Sequence, residues 1–157
     1  FVKACTEVSK DYPDIIFEEM YVDACAMNLI RQPEQFDVIV TTNLFGDILS
    51  DESSQVVGGL GMAPAANLGD NFALFEPVHG AAFDIAGQNI ANPSSFLLSI
   101  KMMLDWLGAK HNDPKCFEVA KKLESTIFDL VKSGIKTKDI GGDKTTSEFT
   151  KQITDNL

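Results

Sequence analysis

Residues 43–62 read NLFGDILSDESSQVVGGLGM, and the change of pattern within this stretch decides the predicted fold. Its first part predicts a helix over 46–57, directly after an apolar, β-branched run at 36–40 that is typical of a buried strand. A second such run, from Ile15 towards Tyr21, is also followed by a helical pattern. Strands that alternate with helices in this way indicate an α/β fold.

The chain becomes rich in glycine from Gly58 onwards, so we expect a loop over 58–70 and a domain boundary within it. Asp23 is expected at the N-cap of the helix after the first strand, and Gly108 is expected to end a helix that Ser94 or Ser95 caps. Apolar spacing and turn signals predict the remaining elements, which are helices at 1–11, 94–107, 114–133 and 146–156, a strand at 73–75 and a long loop at 76–93.

The composition restricts the functions that the chain could have. The formal net charge of the 157 residues is −10, so the basic field that a nucleic-acid-binding surface needs is missing. No apolar run is long enough to span a bilayer, and no signal peptide is visible. Cys5, Cys25 and Cys116 follow neither a disulfide nor a zinc-site spacing, so we expect reduced thiols in the cytoplasm. Because the chain begins with Phe1 rather than Met, we expect it to be part of a longer protein.

Two aspartates in the predicted helix could hold a metal ion. Asp47 and Asp51 are four residues apart, which places both carboxylates on one helix face, where they repel each other. A divalent cation such as Mg²⁺ would offset this repulsion because it prefers oxygen ligands, and Asp23 could supply a third carboxylate. The spacing alone is more typical of a structural or solvated pair. The position directly after a predicted strand favours a site, because α/β folds place their sites at the carboxyl ends of strands.

Two further segments suit a ligand site but also have plain structural interpretations. Gly59-Leu60-Gly61 resembles the beginning of a dinucleotide fingerprint, but Pro64 stands at the third glycine and the segment follows a helix. A packed turn is therefore the default interpretation. The loop EPVHGAAFDIAG at 76–87 contains small residues that would let a ligand approach the backbone closely. From the residues alone, a buried loop with an internally bonded His79 fits as well as a cofactor site.

Taken together, these segments resemble the isocitrate/isopropylmalate dehydrogenase family. The similarity rests on residues 43–62 and 76–87, on Asn92-Pro93, and on the shorter YVDA at 21–24 and DIGG at 139–142. It covers essentially the whole chain and implies an α/β, isopropylmalate dehydrogenase-like two-domain fold, of which this chain would be the C-terminal part. Residues 1–57 would belong to the dimer-forming metal and substrate domain, and 58–157 to the cofactor-binding domain.

The resemblance also implies a metal centre that is shared across a homodimer. Asp23, Asp47 and Asp51 would bind Mg²⁺ or Mn²⁺, with Asp23 reaching the site from the neighbouring subunit. The substrate would be a small 2-hydroxy acid that is oxidised by NAD⁺ and then loses CO₂. The family's catalytic lysine and tyrosine and its substrate-binding arginines would precede Phe1. No catalytic residue is therefore assigned in this chain, and the chain alone is expected to be inactive.

The same resemblance implies that the long loop and its surroundings bind NAD. The residues expected to contact the cofactor are Glu76, His79, Gly80, Asp84, Ile85, Asn92 and Asp139. Asp84 would accept hydrogen bonds from the adenosine ribose, and its charge would repel a 2′-phosphate. NADP-using relatives carry Lys-Tyr at the positions of Asp84 and Ile85, so this pair favours NAD. Ala81 and Phe83 depart from the family pattern, which usually has Ser or Thr and then Pro there.

The sequence leaves several functions open. ESSQ at 52–55 and HGAAFDIAG at 79–87 resemble archaeal-type isopropylmalate dehydrogenases, which favours 3-isopropylmalate and leucine biosynthesis. Isocitrate and homoisocitrate are alternative substrates. A non-catalytic regulatory subunit and a ligand-binding module without chemistry are alternatives of a different class. Regulatory subunits tend to lose the metal carboxylates, and this chain has all three.

Overall fold

The computed structural model describes residues 1–157 and divides them into two compact units, Phe1–Val56 and Val57–Leu157. Each unit has its own set of secondary-structure elements and its own buried cluster. None of the helices has the length and apolar character that crossing a membrane requires.

The first unit consists of three helices, α1 (Val2–Ser9), α2 (Val22–Arg31) and α3 (Asn43–Val56), and a 3₁₀ turn at Pro33–Gln35. The predicted helices are confirmed, although α3 begins three residues earlier than predicted. Helix α2 packs against α3 through the buried side chains of Cys25, Leu29 and Leu49. Burial, and secondarily the charge of Glu52, raises the pKa of the Cys25 thiol.

Both strands predicted in this unit are wrong. Residues 15–21 and 36–40 form no strand, and Ile16 and Val38 are 88% and 82% exposed. Their β-branched side chains do favour strands, but a strand also needs a neighbouring backbone to complete its hydrogen bonds. Neither segment has such a neighbour in this chain, whose only sheet lies in the second unit.

The expected N-cap of α2 is also wrong. Tyr21 occupies the cap position, and Asp23 is the second residue of the helix. The carboxylate of Asp23 accepts a hydrogen bond of 2.8 Å from the backbone N–H of Ala24. An acidic residue in the first turn is favourable because it faces the positive end of the helix dipole.

The second unit consists of a hairpin and three helices. Strands β1 (Pro64–Leu68) and β2 (Ala73–Pro77) pair antiparallel, with Ala66 opposite Phe75. Helix α4 (Ser94–His111) contacts both strands and packs along α5 (Pro114–Lys132), which contacts α6 (Thr146–Asn156). Short 3₁₀ turns lie at Phe83–Ile85 and Lys138–Ile140. The buried core joins the turn before β1 to the three helices and contains Met62, Leu98, Leu123, Ile127, Leu130, Phe149 and Ile153.

Most elements predicted for this unit are confirmed. Three corrections concern one strand and the two ends of α4. Residues 64–68 form a strand rather than a loop, because they pair with β2. No serine hydroxyl caps α4; Pro93 is the cap residue, and the side chain of Asn92 accepts from the Ser94 N–H instead. Gly108 does not end α4, which continues to His111 and ends at Asn112 in the left-handed conformation.

The glycine within α4 serves close helix packing. A Cβ at Gly108 would lie 3.0 Å from the ring of Phe117 and 3.1 Å from Cβ of Cys116 on α5. Gly108 is buried, so the signal that looks like a helix stop instead marks the place where α5 approaches α4.

Candidate functional site

The two aspartates on α3 form one exposed acidic face. Asp47 and Asp51 are exposed and four residues apart on the helix, and neither carboxylate has a hydrogen-bond or ion-pair partner. Helix α3 contains no basic residue, so it offers no cation of its own against their charge. Carboxylate oxygens in this arrangement are the ligands that Mg²⁺ and Mn²⁺ prefer.

No third acidic side chain joins these two aspartates in a metal-binding group within residues 1–157. No group of three His, Cys, Asp or Glu side chains is close enough to hold a metal ion. Asp23 is exposed near the beginning of α2. The family resemblance implies that the Asp23 of another copy completes the set of three aspartates, and this stays a prediction.

The loop that follows β2 is exposed and held by backbone contacts. The ring Nδ1 of His79 lies 2.9 Å from the carbonyl oxygen of Gly80, to which it can only donate. The carboxylate of Asp84 is exposed and has no partner, while its backbone carbonyl accepts from Gln88 at 2.7 Å. The interpretation of this segment as a buried loop is wrong, although the internal bond of His79 is present.

Glu76 is tied to the hairpin and to α4. Its side chain accepts a hydrogen bond of 3.3 Å from Asn67 on the opposite strand. Its backbone carbonyl accepts a hydrogen bond of 2.7 Å from the hydroxyl of Ser99 on α4. The hydroxyl of Ser95 donates in the same way to the carbonyl of Ala63, so two serines of α4 fix the hairpin that carries Glu76.

The structure brings Asn92 and Asp139 together although 47 residues separate them. The side-chain amide of Asn92 donates to the carboxylate of Asp139 at 3.0 Å and also approaches the sulfur of Met62 at 3.6 Å. Its carbonyl oxygen accepts from the Ser94 N–H at 3.0 Å. Asn92 is 9% exposed, whereas Asp139 is exposed, so a buried amide holds a carboxylate that faces solvent.

The family model described as isocitrate/isopropylmalate dehydrogenase matches residues 1–156. The chain belongs to this family. It is 52% identical over 154 residues to the 3-isopropylmalate dehydrogenase of Saccharolobus solfataricus, covering 98% of this chain and 45% of that protein. It is 50% identical over 157 residues to the isocitrate/homoisocitrate dehydrogenase of Thermus thermophilus, covering the whole chain and 45% of that protein. The chain therefore spans about half the length of the curated relatives it matches.

Solved structures agree with this membership. The isocitrate dehydrogenase of Methylococcus capsulatus superimposes with a TM-score of 0.90 at 40% identity, over 99% of this chain and 44% of that one. The TT0538 protein of Thermus thermophilus superimposes with a TM-score of 0.89 at 43% identity, over 99% of this chain and 31% of that one. The expected fold of the isocitrate/isopropylmalate dehydrogenases is thus confirmed for the part that this chain covers.

No sequence pattern assigns the residues beneath the Asn92–Asp139 contact to the site. Gly61 and Met62 lie directly against Asn92, and Ser94 and Thr137 are buried with hydroxyl groups that have no partner. The glycines at 58–61 do indicate part of this packing, since they predict a packed turn. What they pack against could not be predicted, because Asp139 is far away in the sequence.

Proposed function

We propose that the whole protein is a metal- and NAD-dependent dehydrogenase that oxidises and decarboxylates a 2-hydroxy acid, with 3-isopropylmalate as the favoured substrate. The observation that carries this proposal is the acidic face of α3, where Asp47 and Asp51 lie exposed without any basic residue on their helix. Like charges on one helix face repel each other, and a divalent cation that binds there would offset this repulsion.

The residues present fit a divalent cation. Asp47 and Asp51, with Asp23 of a second copy, would hold Mg²⁺ or Mn²⁺ through carboxylate oxygens. The bound cation would polarise the substrate hydroxyl and stabilise the negative charge that develops during decarboxylation. A homodimer is part of this proposal, and the exposure of Leu44 (66%) and Ile48 (55%) beside the acidic face supports a covered surface there.

The residues of the second unit fit the adenosine part of NAD. Bound NAD⁺ would accept the hydride, while this chain's residues would orient it. The unpartnered carboxylate of Asp84 would accept from the ribose hydroxyls and would repel a 2′-phosphate, so NAD is favoured over NADP. Asp139 and Asn92 would contact the adenine side, and Glu76 the nicotinamide ribose. His79 and Gly80 would line the adenosine half of NAD, and Ile85 would contact it beside Asp84.

The relatives favour neither substrate decisively. Proteins named 3-isopropylmalate dehydrogenase and isocitrate/homoisocitrate dehydrogenase are similar to this chain at 52% and 50% identity. A relative from Arabidopsis thaliana that is named an NAD isocitrate dehydrogenase catalytic subunit is 48% identical. Isocitrate and homoisocitrate are therefore the second candidates, and a non-catalytic subunit is disfavoured because all three aspartates are present. We propose a cytoplasmic location, since free cysteines such as the three of this chain are typical of a reducing compartment.

The test is a spectrophotometric assay of the protein as its gene encodes it. Each of the three acids is supplied in turn with NAD⁺ or NADP⁺, with and without Mg²⁺, and the reduced nicotinamide is followed. We expect NAD⁺ reduction with 3-isopropylmalate, loss of the rate with EDTA, and a much lower rate with NADP⁺. Binding of NAD⁺ without turnover of any acid would favour the regulatory subunit. The 157-residue chain alone is expected to give no turnover.

A further inference from the structure

Gly61 lies directly beneath the contact between Asn92 and Asp139. A Cβ built on Gly61 would lie 2.8 Å from Oδ2 of Asp139, 3.0 Å from Cβ of Asn92 and 3.2 Å from Nδ2 of Asn92. Real Cβ atoms essentially never have a contact as short as the first of these. The hydrogen bond of 3.0 Å between Asn92 and Asp139 can therefore occupy this position only because residue 61 has no side chain.

The surroundings determine which group would move if residue 61 carried a methyl group. The carbonyl of Gly61 accepts a hydrogen bond of 2.8 Å from the Ser95 N–H, which fixes the backbone against the beginning of α4. Asn92 is nine-tenths buried and bonded on both sides of its amide. Asp139 is exposed, and its carboxylate is the most easily displaced of the three groups. A methyl group at residue 61 would thus push the Asp139 carboxylate away from Asn92.

We propose that Gly61 and Asn92 are positioning residues that hold the Asp139 carboxylate ready for the adenosine part of the cofactor. This inference rests on the proposed function. The Asn92 amide donates its hydrogen bond to Oδ2 of Asp139. Oδ1 is therefore free to accept a hydrogen bond from an N–H or O–H of the ligand. A carboxylate that is already held in one orientation loses less rotamer freedom when it binds such a donor.

The first test compares two glycine-to-alanine variants of the protein as its gene encodes it, with NAD⁺ and AMP as the calorimetric probes. Gly61→Ala is expected to raise the Kd for both probes about tenfold, which corresponds to a weakened hydrogen bond to a charged group. Gly108→Ala is the matched control. It crowds Phe117 and Cys116 about 20 Å further along α4, so it should lower the Tm without changing either Kd.

A double-variant cycle tests whether Gly61 acts through Asp139. In the Asp139→Ala background the carboxylate that the methyl group displaces is gone, so adding Gly61→Ala should change neither Kd further. Adding Asn92→Ala in that background removes only the direct contact of Asn92 with the adenosine part, so its effect should be smaller than in the wild-type background. If Gly61→Ala does not fold, the Asn92→Ala cycle tests the same proposal.

The outcomes separate this inference from the function on which it rests. A wild-type protein that binds NAD⁺ and AMP, with Gly61→Ala binding both equally well, overturns the positioning role alone. So does a full tenfold effect of Gly61→Ala in the Asp139→Ala background, or an effect of Asn92→Ala that is as large there as in the wild-type background, because these residues would then act independently of the carboxylate. A wild-type protein that binds neither NAD⁺ nor AMP overturns the proposed function and this inference together.

Discussion

The two units of the chain bury very different amounts of apolar side chain. In Phe1–Val56 the buried residues of the core are Cys25, Leu29 and Leu49, and α1 buries none. In Val57–Leu157 a larger cluster joins the three long helices and includes Phe149 and Ile127, which are fully buried. Burial of apolar surface is the main source of stability in a folded chain.

This difference coincides with a difference in chemistry. The aspartates proposed as metal ligands lie exposed on the unit with the small core, and they form no group of three within residues 1–157. The residues proposed to bind NAD lie on the unit with the larger core, where Asn92 and Asp139 already contact each other. Two residues of the proposed cofactor site are thus already in contact within one chain, whereas the three proposed metal ligands form no group within it.

The largest expected effect concerns the proposed metal ligands. Asp47→Asn should lower turnover at least about a thousandfold, because a bound cation contributes several kcal/mol of charge stabilisation to such a reaction. The Tm should not fall, since Asp47 is exposed and has no partner to lose. Initial rates with 3-isopropylmalate, NAD⁺ and Mg²⁺, together with a thermal melt, measure both effects.

Asp11→Asn is the matched control for this change, because Asp11 is an exposed aspartate of the same unit that lies outside the proposed site. Its rates should equal those of the wild type. Wild-type turnover by Asp47→Asn would overturn the proposed metal role of α3 and with it the proposed difference between the two units.

The next effect concerns the larger core. Phe149→Ala should lower the free energy of unfolding by about 3–5 kcal/mol, because it removes a fully buried aromatic side chain and leaves a cavity. Phe96→Ala on α4 is the control, since Phe96 is 56% exposed and should lose much less. Urea unfolding measures both changes. Equal losses would mean that the cluster around Phe149 does not carry the stability of its unit.

The fold of the second unit could be predicted from the sequence because its helices carry their own signals. Residues 114–133 show an apolar stripe, and α5 and α6 form almost where they are predicted. The predicted strand at 36–40 fails because its existence depends on a partner strand that no local pattern can supply. Gly108 misleads for a similar reason, since its role is set by Phe117 on another helix.

The candidate site shows the same limit. Asp47 and Asp51 could be paired from the sequence, because a helix fixes their spacing. The contact between Asn92 and Asp139 could not, because it depends on how the turn at Gly61 packs against two distant segments. The resemblance to a family indicates both residues as candidates, and the structure shows that the Asn92 amide donates a hydrogen bond to the Asp139 carboxylate.

A smaller effect is expected at the beginning of α6. The hydroxyl of Thr145 accepts from the Glu148 N–H, and the Glu148 side chain accepts from the Thr145 N–H, which together form a capping box. Thr145→Ala should lower the free energy of unfolding by about 1 kcal/mol. Thr154→Ala, within the same helix and exposed, should leave it unchanged or slightly raised because alanine favours helix. If both variants unfold at the same urea concentration, the capping box does not stabilise the second unit.

The smallest effect is the pH dependence of the same capping box. The backbone N–H of Thr145, and next its hydroxyl, donate to the Glu148 carboxylate and hold its pKa below the ordinary value of 4.5. A carboxylate whose pKa is lowered by folding stabilises the folded state above its ordinary pKa, and this contribution is lost as the pH falls through the lowered value. The difference in unfolding free energy between wild type and Glu148→Ala should therefore be constant above pH 4.5 and shrink below it.

Urea unfolding between about pH 6 and about pH 3 measures this, with Glu118→Ala on the exposed face of α5 as the control. A difference that does not change with pH would show that the Glu148 carboxylate stabilises α6 equally well when it is protonated, and the ionic part of the capping box would have to be abandoned.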